Sequence, residues 1–284
     1  MSEVALLVGF LAAAIRIATP LLFAATGELV AERAGVLNLG IEGAMLAGAL
    51  TAALVGTAGG PGAGVAAAIA VGVCCGILVA LVAVRARADQ VITGTAVTLG
   101  MVGLTGAIYR TTLGSGSNTR PFEMLADPWL LSVSALGAVP CVWWILYRTR
   151  WGLALRAAGE DRHAAAANGV AVERTQTVAL MIAGGFAGLG GATLVLAQVG
   201  SFAEKMTAGR GFVAIAIVVL GRWSPFGVLA AALLFGALQA LQFLLQGMGI
   251  DLPYQLFLVL PYALTLLALA GLVGRARAPA GLGK

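Results

Sequence analysis

The sequence predicts an all-α, polytopic helical membrane protein with about nine membrane segments, some of them discontinuous. Three observations lead there. Of the 284 residues, 60% are hydrophobic and only 10% charged, and the mean hydropathy is +0.99, too little polar chemistry to cover the surface of a water-soluble domain. Apolar runs long enough to cross a bilayer recur along the whole chain. The arginines gather at the ends of those runs and in the segments between them, the bias that marks cytoplasmic loops. The same distribution argues against a nucleic-acid partner despite the net charge of +5, because no basic stripe with interleaved aromatics is present.

Residues 4–26 read as the first span, with Arg16 near its middle and Pro20 a turn later. The run lacks a basic leader and is too long for a cleavable signal, so it reads as a retained membrane helix. Arg16 either meets an acid, with Glu28, Glu32 and Glu42 nearest in sequence, or snorkels to the interface. GELVAERAG (27–35) then suggests a short amphipathic helix and a turn at Gly35, after which the second span enters at 38–57. The third span, 62–84, carries Gly64, Ala68, Gly72, Gly76 and Ala80 as a small-residue stripe at i+4 spacing, the mark of a helix buried among others. Arg85 and Arg87 follow on the cytoplasmic side. The fourth span, 91–110, holds Thr93, Thr95, Thr98 and Thr105, whose hydroxyls either bond back to their own helix or face a polar pathway. Residues 111–128 are turn-rich and form an outer loop. The fifth span, 129–147, begins at Trp129 and ends in a belt of Trp143, Trp144 and Tyr147.

The longest polar stretch, 148–176, contains Arg148, Arg150, Arg156, Arg162 and Arg174 and is therefore cytoplasmic. Within it DRHAAAANG (161–169) reads as a short helix opened by Asp161 and closed by Gly169, placed to receive force from a partner. His163, the single histidine, reads as solvated rather than catalytic. The sixth span, 177–198, carries a Gly184, Gly188, Ala192 packing row. A return on the outer side leads to 211–221, about half the length a crossing needs, and then to a full span at 226–246 with Gln239, Gln242 and Gln246 on one face. The last span is 253–273, and the basic tail is inside. This alternation makes residues 1–284 one transmembrane domain with its N-terminus outside and 148–176 as its cytoplasmic coupling loop. Residues 27–57 and 209–246 echo each other, each a Gly-flanked broken element before a small-residue helix, the pattern of a transporter built from repeats.

The stretch from Glu32 to Gly48 concentrates the polar chemistry. Asn38, Glu42, Met45 and Ala49 share one helical face, and Gly40, Ala44 and Gly48 form a small-xxx-small row on another. Asn38, Glu42 and, on a later span, Gln239 are candidates to line a substrate path; Asn38 and Glu42 serve equally well to cap and staple a broken helix. Cys74, Cys75 and Cys141 lie in apolar runs with no metal-binding spacing, and no Ser/His or metal constellation points to an enzyme. A stand-alone secondary carrier, coupled through Arg16 and Glu42, is the rival from another functional class.

ATPLLFAATGELVAERAGVLNLGIEGAMLAGA (18–49) closely resembles the signature of permease subunits of ABC importers in the ribose-type, nucleoside branch that depends on basic membrane lipoproteins. The resemblance continues through 156–192, 208–236 and 252–283, in the expected order, and weakens in the 111–128 loop. It implies ATP-driven uptake of a nucleoside, typically a purine one, by alternating access across the bacterial cytoplasmic membrane, with a simple sugar such as ribose as the alternative cargo. It implies a second, distinct permease subunit, a cytoplasmic ATPase with two cassettes that binds the ATP and magnesium, and an extracytoplasmic binding lipoprotein. No Walker GxxxxGK[ST] motif lies in this chain, which would carry no cofactor of its own. By the family pattern Gly159, Glu160, Ala165, Asn168 and Gly169 belong to the region that couples to the ATPase. A nucleoside path wants amides and carboxylates set in an apolar wall, which suits Asn38, Glu42 and Gln239.

Overall fold

The structure, a computed structural model, describes residues 3–112, 124–125, 127–247, 259, 263 and 278–283. Among them all regular structure is helical: α1 (Glu3–Arg33), α2 (Ile41–Gly59), α3 (Pro61–Val79), α4 (Gln90–Thr112), α5 (Trp129–Arg148), α6 (Arg150–Glu160), α7 (Arg162–Ala167), α8 (Val172–Thr193), α9 (Arg210–Leu220) and α10 (Pro225–Gly247). Two helices end in a wider π winding, α3 over Ala80–Arg85 and α8 over Leu194–Val199. Seven helices among the described residues are long and apolar enough to cross a membrane, and Arg210–Leu220 is a shorter apolar one. The span expected at 253–273 and most of the 111–128 loop lie outside the described residues.

One boundary differs from expectation. The first span does not stop at 26 before a separate amphipathic helix; α1 runs unbroken for 31 residues, a length of about 46 Å against a hydrocarbon core of about 30 Å. Gly27 does not end the helix because its missing side chain serves packing: a Cβ there would lie 2.6 Å from the Cβ of Phe186 on α8. The length also explains Arg16. It is exposed, its guanidinium lies 5.8 Å from the ring centre of Trp129, and it meets none of the glutamates that sequence proximity suggested. The break comes at 34–40, with Gly35 at φ +83°, a left-handed conformation that glycine adopts without strain.

α2 forms the middle of the bundle, enclosed by α3, α4, α8 and α9, and thirteen of its nineteen residues are buried. Close approach on this scale depends on glycine. A Cβ on Gly48 would lie 2.5 Å from the Cα of Gly188, and one on Gly184 would collide with the carbonyl of Gly72. Backbones meeting this closely gain dispersion contacts without freezing long side chains. The α3 stripe at Gly64, Ala68, Gly72 and Gly76 is buried, whereas α4 leaves Ile92 and Leu99 about 70% exposed on its outer side, as suits a lipid-facing surface.

The basic segments share one end of the bundle. Arg87 and Glu173 pair at 3.7 Å, the tail reaches Gly159, and Arg33 at the end of α1 reaches Tyr147 near the end of α5. Arg110 and Glu204 pair at the opposite end, at 2.8 Å.

Candidate functional site

The 34–40 break leaves helix-end backbone groups inside an apolar bundle, where an unmet N–H or C=O is costly. Side chains from three helices meet them. Gln176 Nε2 on α8 donates to the Ala34 carbonyl at 2.9 Å. The Leu37 N–H donates to Gln90 Oε1 at 2.8 Å, and the Asn38 N–H to Glu28 Oε1 at 2.9 Å. Thr98 donates its hydroxyl to the Leu39 carbonyl at 2.8 Å, and Asn38 Oδ1 accepts from the Gly40 N–H at 3.1 Å. Thr98 is thus the one α4 threonine of the sequence set whose hydroxyl bridges to the break, while Thr95 and Thr105 bond back to their own helix.

Glu42, 6% exposed, lies in the first turn of α2 and reaches the first turn of α9. Its carboxylate accepts from the Thr207 hydroxyl at 2.6 Å, the Gly209 N–H at 2.9 Å and the Gly211 N–H at 2.6 Å. A carboxylate here satisfies the Gly209 and Gly211 N–H groups at the start of α9 and sits at the positive ends of two helix dipoles. Gly211 permits the approach, since a Cβ there would lie 2.5 Å from the Cα of Glu42.

The other end of α9 closes the same clasp. Arg222 and Trp223, in the turn before α10, both have left-handed backbones, φ 56° and 51°, which costs on the order of 1–2 kcal/mol per residue. Trp223 spends that strain on position: its indole N–H donates to Glu32, and its carbonyl accepts from Arg33 Nε at 2.7 Å. The broken elements that echo each other in sequence, 27–57 and 209–246, therefore grip one another at both ends of α9. Gln239 is half-buried on α10, and no hydrogen bond joins it to Asn38 or Glu42.

Glu42 and Asn38 stood out in the sequence as polar groups in an apolar run. Glu28, which the sequence offers only as a partner for Arg16, carries as much of the site, as do Gln90, Gln176 and Trp223, which no strong sequence pattern singles out. Gln90 and Gln176 gave a faint signal, each an amide at the start of an apolar span. Trp223 meets Glu32 across 191 positions, a pairing no local pattern reveals.

At the basic end, Thr149 caps α6 by accepting from the Gly152 N–H at 3.0 Å, a helix the polar composition of 148–176 concealed. α7 begins and ends where the sequence puts it. Asp161 accepts from the N–H groups of His163 and Ala164, which hold its carboxyl below the usual carboxylate range, Ala164 foremost. Gly169, φ +82°, closes it, with the Val170 N–H returning to the Ala165 carbonyl. Of the residues expected to couple to an ATPase, Ala165 is buried and Asn168 exposed, and Gly159 is buried in the last turn of α6 beside exposed Glu160. A cleft of about 1160 Å³ opens beside α7, lined by charges of both signs including Arg87, Asp89, Asp161, Arg162, Glu173 and Arg174.

Interrupted helices clasped inside an apolar bundle, with seven of the described helices long and apolar enough to cross a membrane, are the architecture of a multi-pass membrane protein. The chain belongs to the family described as branched-chain amino acid transport system / permease component, which matches residues 10–269. It is 33% identical to the guanosine ABC transporter permease protein NupQ of Bacillus subtilis, over 92% of this chain and 91% of that one. It is 38% identical over 86% of its length, and 80% of the relative's, to TsgC13 of Haloferax volcanii, provisionally named a glucose ABC transporter permease protein. The nucleoside ABC transporter permease protein NupC of Lactococcus lactis is 29% identical, again over 92% of this chain and 91% of its own. No solved structure matches.

Proposed function

We propose that the chain is one of two permease subunits of an ATP-driven ABC importer that carries a nucleoside, a purine nucleoside first among them, across the bacterial cytoplasmic membrane. The likeness to NupQ over 92% of the chain carries this reading, and NupC supports it. In it the chain performs no catalysis. ATP and magnesium bind a two-cassette ATPase docked at Gly159, Glu160, Ala165, Asn168 and Gly169, and an extracytoplasmic lipoprotein delivers the cargo. A pairing of unlike permeases is supported by a second likeness, 35% identity over 48% of this chain, to NupP, which is also named a guanosine ABC transporter permease protein.

The mechanism is alternating access. Closure of the cassettes pushes α7, the push reaches the inner ends of α1 and α6, and the clasp between the 34–40 break and α9 moves as a unit. The partners of Asn38 and Glu42 support a role in holding that clasp beside the path, and Gln239 is the candidate to exchange hydrogen bonds with the cargo. The provisional glucose assignment of TsgC13 favours a second reading, a simple sugar, whose hydroxyls a nucleoside shares through its ribose.

The test is reconstitution in proteoliposomes with a partner permease, ATPase and lipoprotein, measuring uptake of labelled guanosine, ribose and glucose. ATP-dependent guanosine uptake is expected. Sugar uptake without guanosine uptake would move the assignment to the second reading, and uptake by the chain alone without ATP would end the ABC reading. Gly169→Trp, which places bulk on a left-handed residue facing open space, should abolish uptake with lipoprotein affinity unchanged.

A further inference from the structure

The tail residues 278–283 lie across the inner ends of α1 and α6. The Gly281 N–H donates to the Gly159 carbonyl at 2.9 Å, a group near the end of α6 that the helix itself leaves without a partner. The Ala280 N–H donates to Glu160 Oε2 at 3.3 Å. Pro279 and Gly281 are buried, and Leu282 packs against the main apolar cluster of the bundle.

Three glycines make the contact. A Cβ on Gly159 would collide with the Arg33 carbonyl and lie 3.0 Å from the Gly35 nitrogen. One on Gly35 would lie 3.1 Å from the Gly159 Cα and 3.5 Å from the Gly281 oxygen, and one on Gly281 would lie 2.8 Å from the Gly159 oxygen. Three backbones therefore touch with no side chain between them: the tail, the α6–α7 elbow, and the turn that opens the 34–40 break. A junction of bare backbone transmits displacement with little slack, since no rotamer can absorb it. Both tail hydrogen bonds end on the elbow and Leu282 is held in the apolar cluster, so an elbow leaning away from the break must either give up those bonds or draw Leu282 out of its packing.

We infer that residues 278–283 are a strap that fixes the coupling elbow at Gly159 to the turn at Gly35, so that a push on α7 is delivered to the membrane break. The inference builds on the importer reading, and its experiment separates the two. The variants are a chain truncated after Arg277, Gly281→Val, and, as a control, Ala280→Val, whose side chain is exposed and leaves the N–H in place. Each is studied in the assembled complex, with guanosine uptake and ATP hydrolysis normalised to complex that co-purifies with the ATPase. Hydrogen exchange over 34–40 is read in parallel.

The truncated chain and Gly281→Val should lose about tenfold in guanosine moved per ATP hydrolysed, the scale of an ordinary coupling between sites. Exchange over 34–40 should rise by about as much in both, and Ala280→Val should change neither. Unchanged exchange over 34–40 in the truncated chain overturns the strap, as does an unchanged ratio of uptake to hydrolysis. If the wild-type complex moves no guanosine, the nucleoside reading falls, and the exchange measurement alone decides the strap.

Discussion

Glu42 shows how one side chain stands in for missing secondary structure. Its carboxylate meets a hydroxyl and two backbone N–H groups at the start of α9, so Glu42→Ala strands three donors in an apolar interior. The expected cost is about 2–4 kcal/mol, visible as a lower thermal midpoint of the detergent-purified protein. Glu42→Gln should be only partly better, because its amide turns a donor toward donors. Asp161 offers a test against pH. Its folded carboxyl lies below the ordinary value because backbone N–H groups of Ala164 and His163 point at it. That stabilisation is complete above the ordinary carboxylate range and is lost as pH falls through the lowered folded value. Protection of the amides over 162–167, taken relative to their intrinsic exchange rate at each pH, should therefore fall on acidification in the wild type, and Asp161→Asn, which keeps a cap without the charge, should flatten the dependence. At this scale the sequence disclosed half of the site. Asn38, Glu42 and Asp161 announce themselves by being polar next to apolar or helix-forming neighbours. Gln176 and Trp223 do not, because their partners lie 142 and 191 positions away.

Among the elements, α2, α3 and α8 form a core in which glycine replaces the usual interlocking side chains. Gly48→Ala should separate α2 from α8, where the new Cβ would lie 2.5 Å from the Gly188 Cα, at a cost of about 1–3 kcal/mol. Gly100→Ala, on α4 with nothing within 4 Å of its Cβ, should instead be neutral or stabilise by up to about 1 kcal/mol. Thermal melting of the two variants side by side checks both signs. The small-residue rows were legible because i+4 spacing is a local property. The run of α1 through Gly27 was not, since glycine in a sequence reads as a break and only the nearness of Phe186 explains why none occurs. α6 was hidden for a different reason: its arginines advertise a loop, while Arg156 in fact lays its guanidinium 4.9 Å from the Tyr147 ring centre and donates to the Leu146 carbonyl.

For the whole molecule, hydropathy and the arginine bias suffice to fix the class and the common end of Arg87, α7 and the tail, because a bilayer imposes the same rule on every crossing. How the halves grip each other needed the structure. The testable consequence is additive: Glu42→Ala and Trp223→Phe cut opposite ends of the α9 clasp, a helix length of about 16 Å apart and with no shared partner, so their destabilisations should add and a double-mutant cycle should show coupling below about 0.5 kcal/mol. The π windings that end α3 and α8 carry a further consequence, for how this chain can change length. Each holds more residues than an α-helix would place in the same rise. A single-residue deletion within Ala80–Arg85 can therefore be absorbed by the helix relaxing to ordinary winding, with no gap opened in its hydrogen bonds. A deletion in α3 ahead of Gly72 would instead turn all that follows by about 100°, tearing Gly72 from Gly184. Near the membrane surface the chain holds a spare residue that its glycine-packed middle cannot give up.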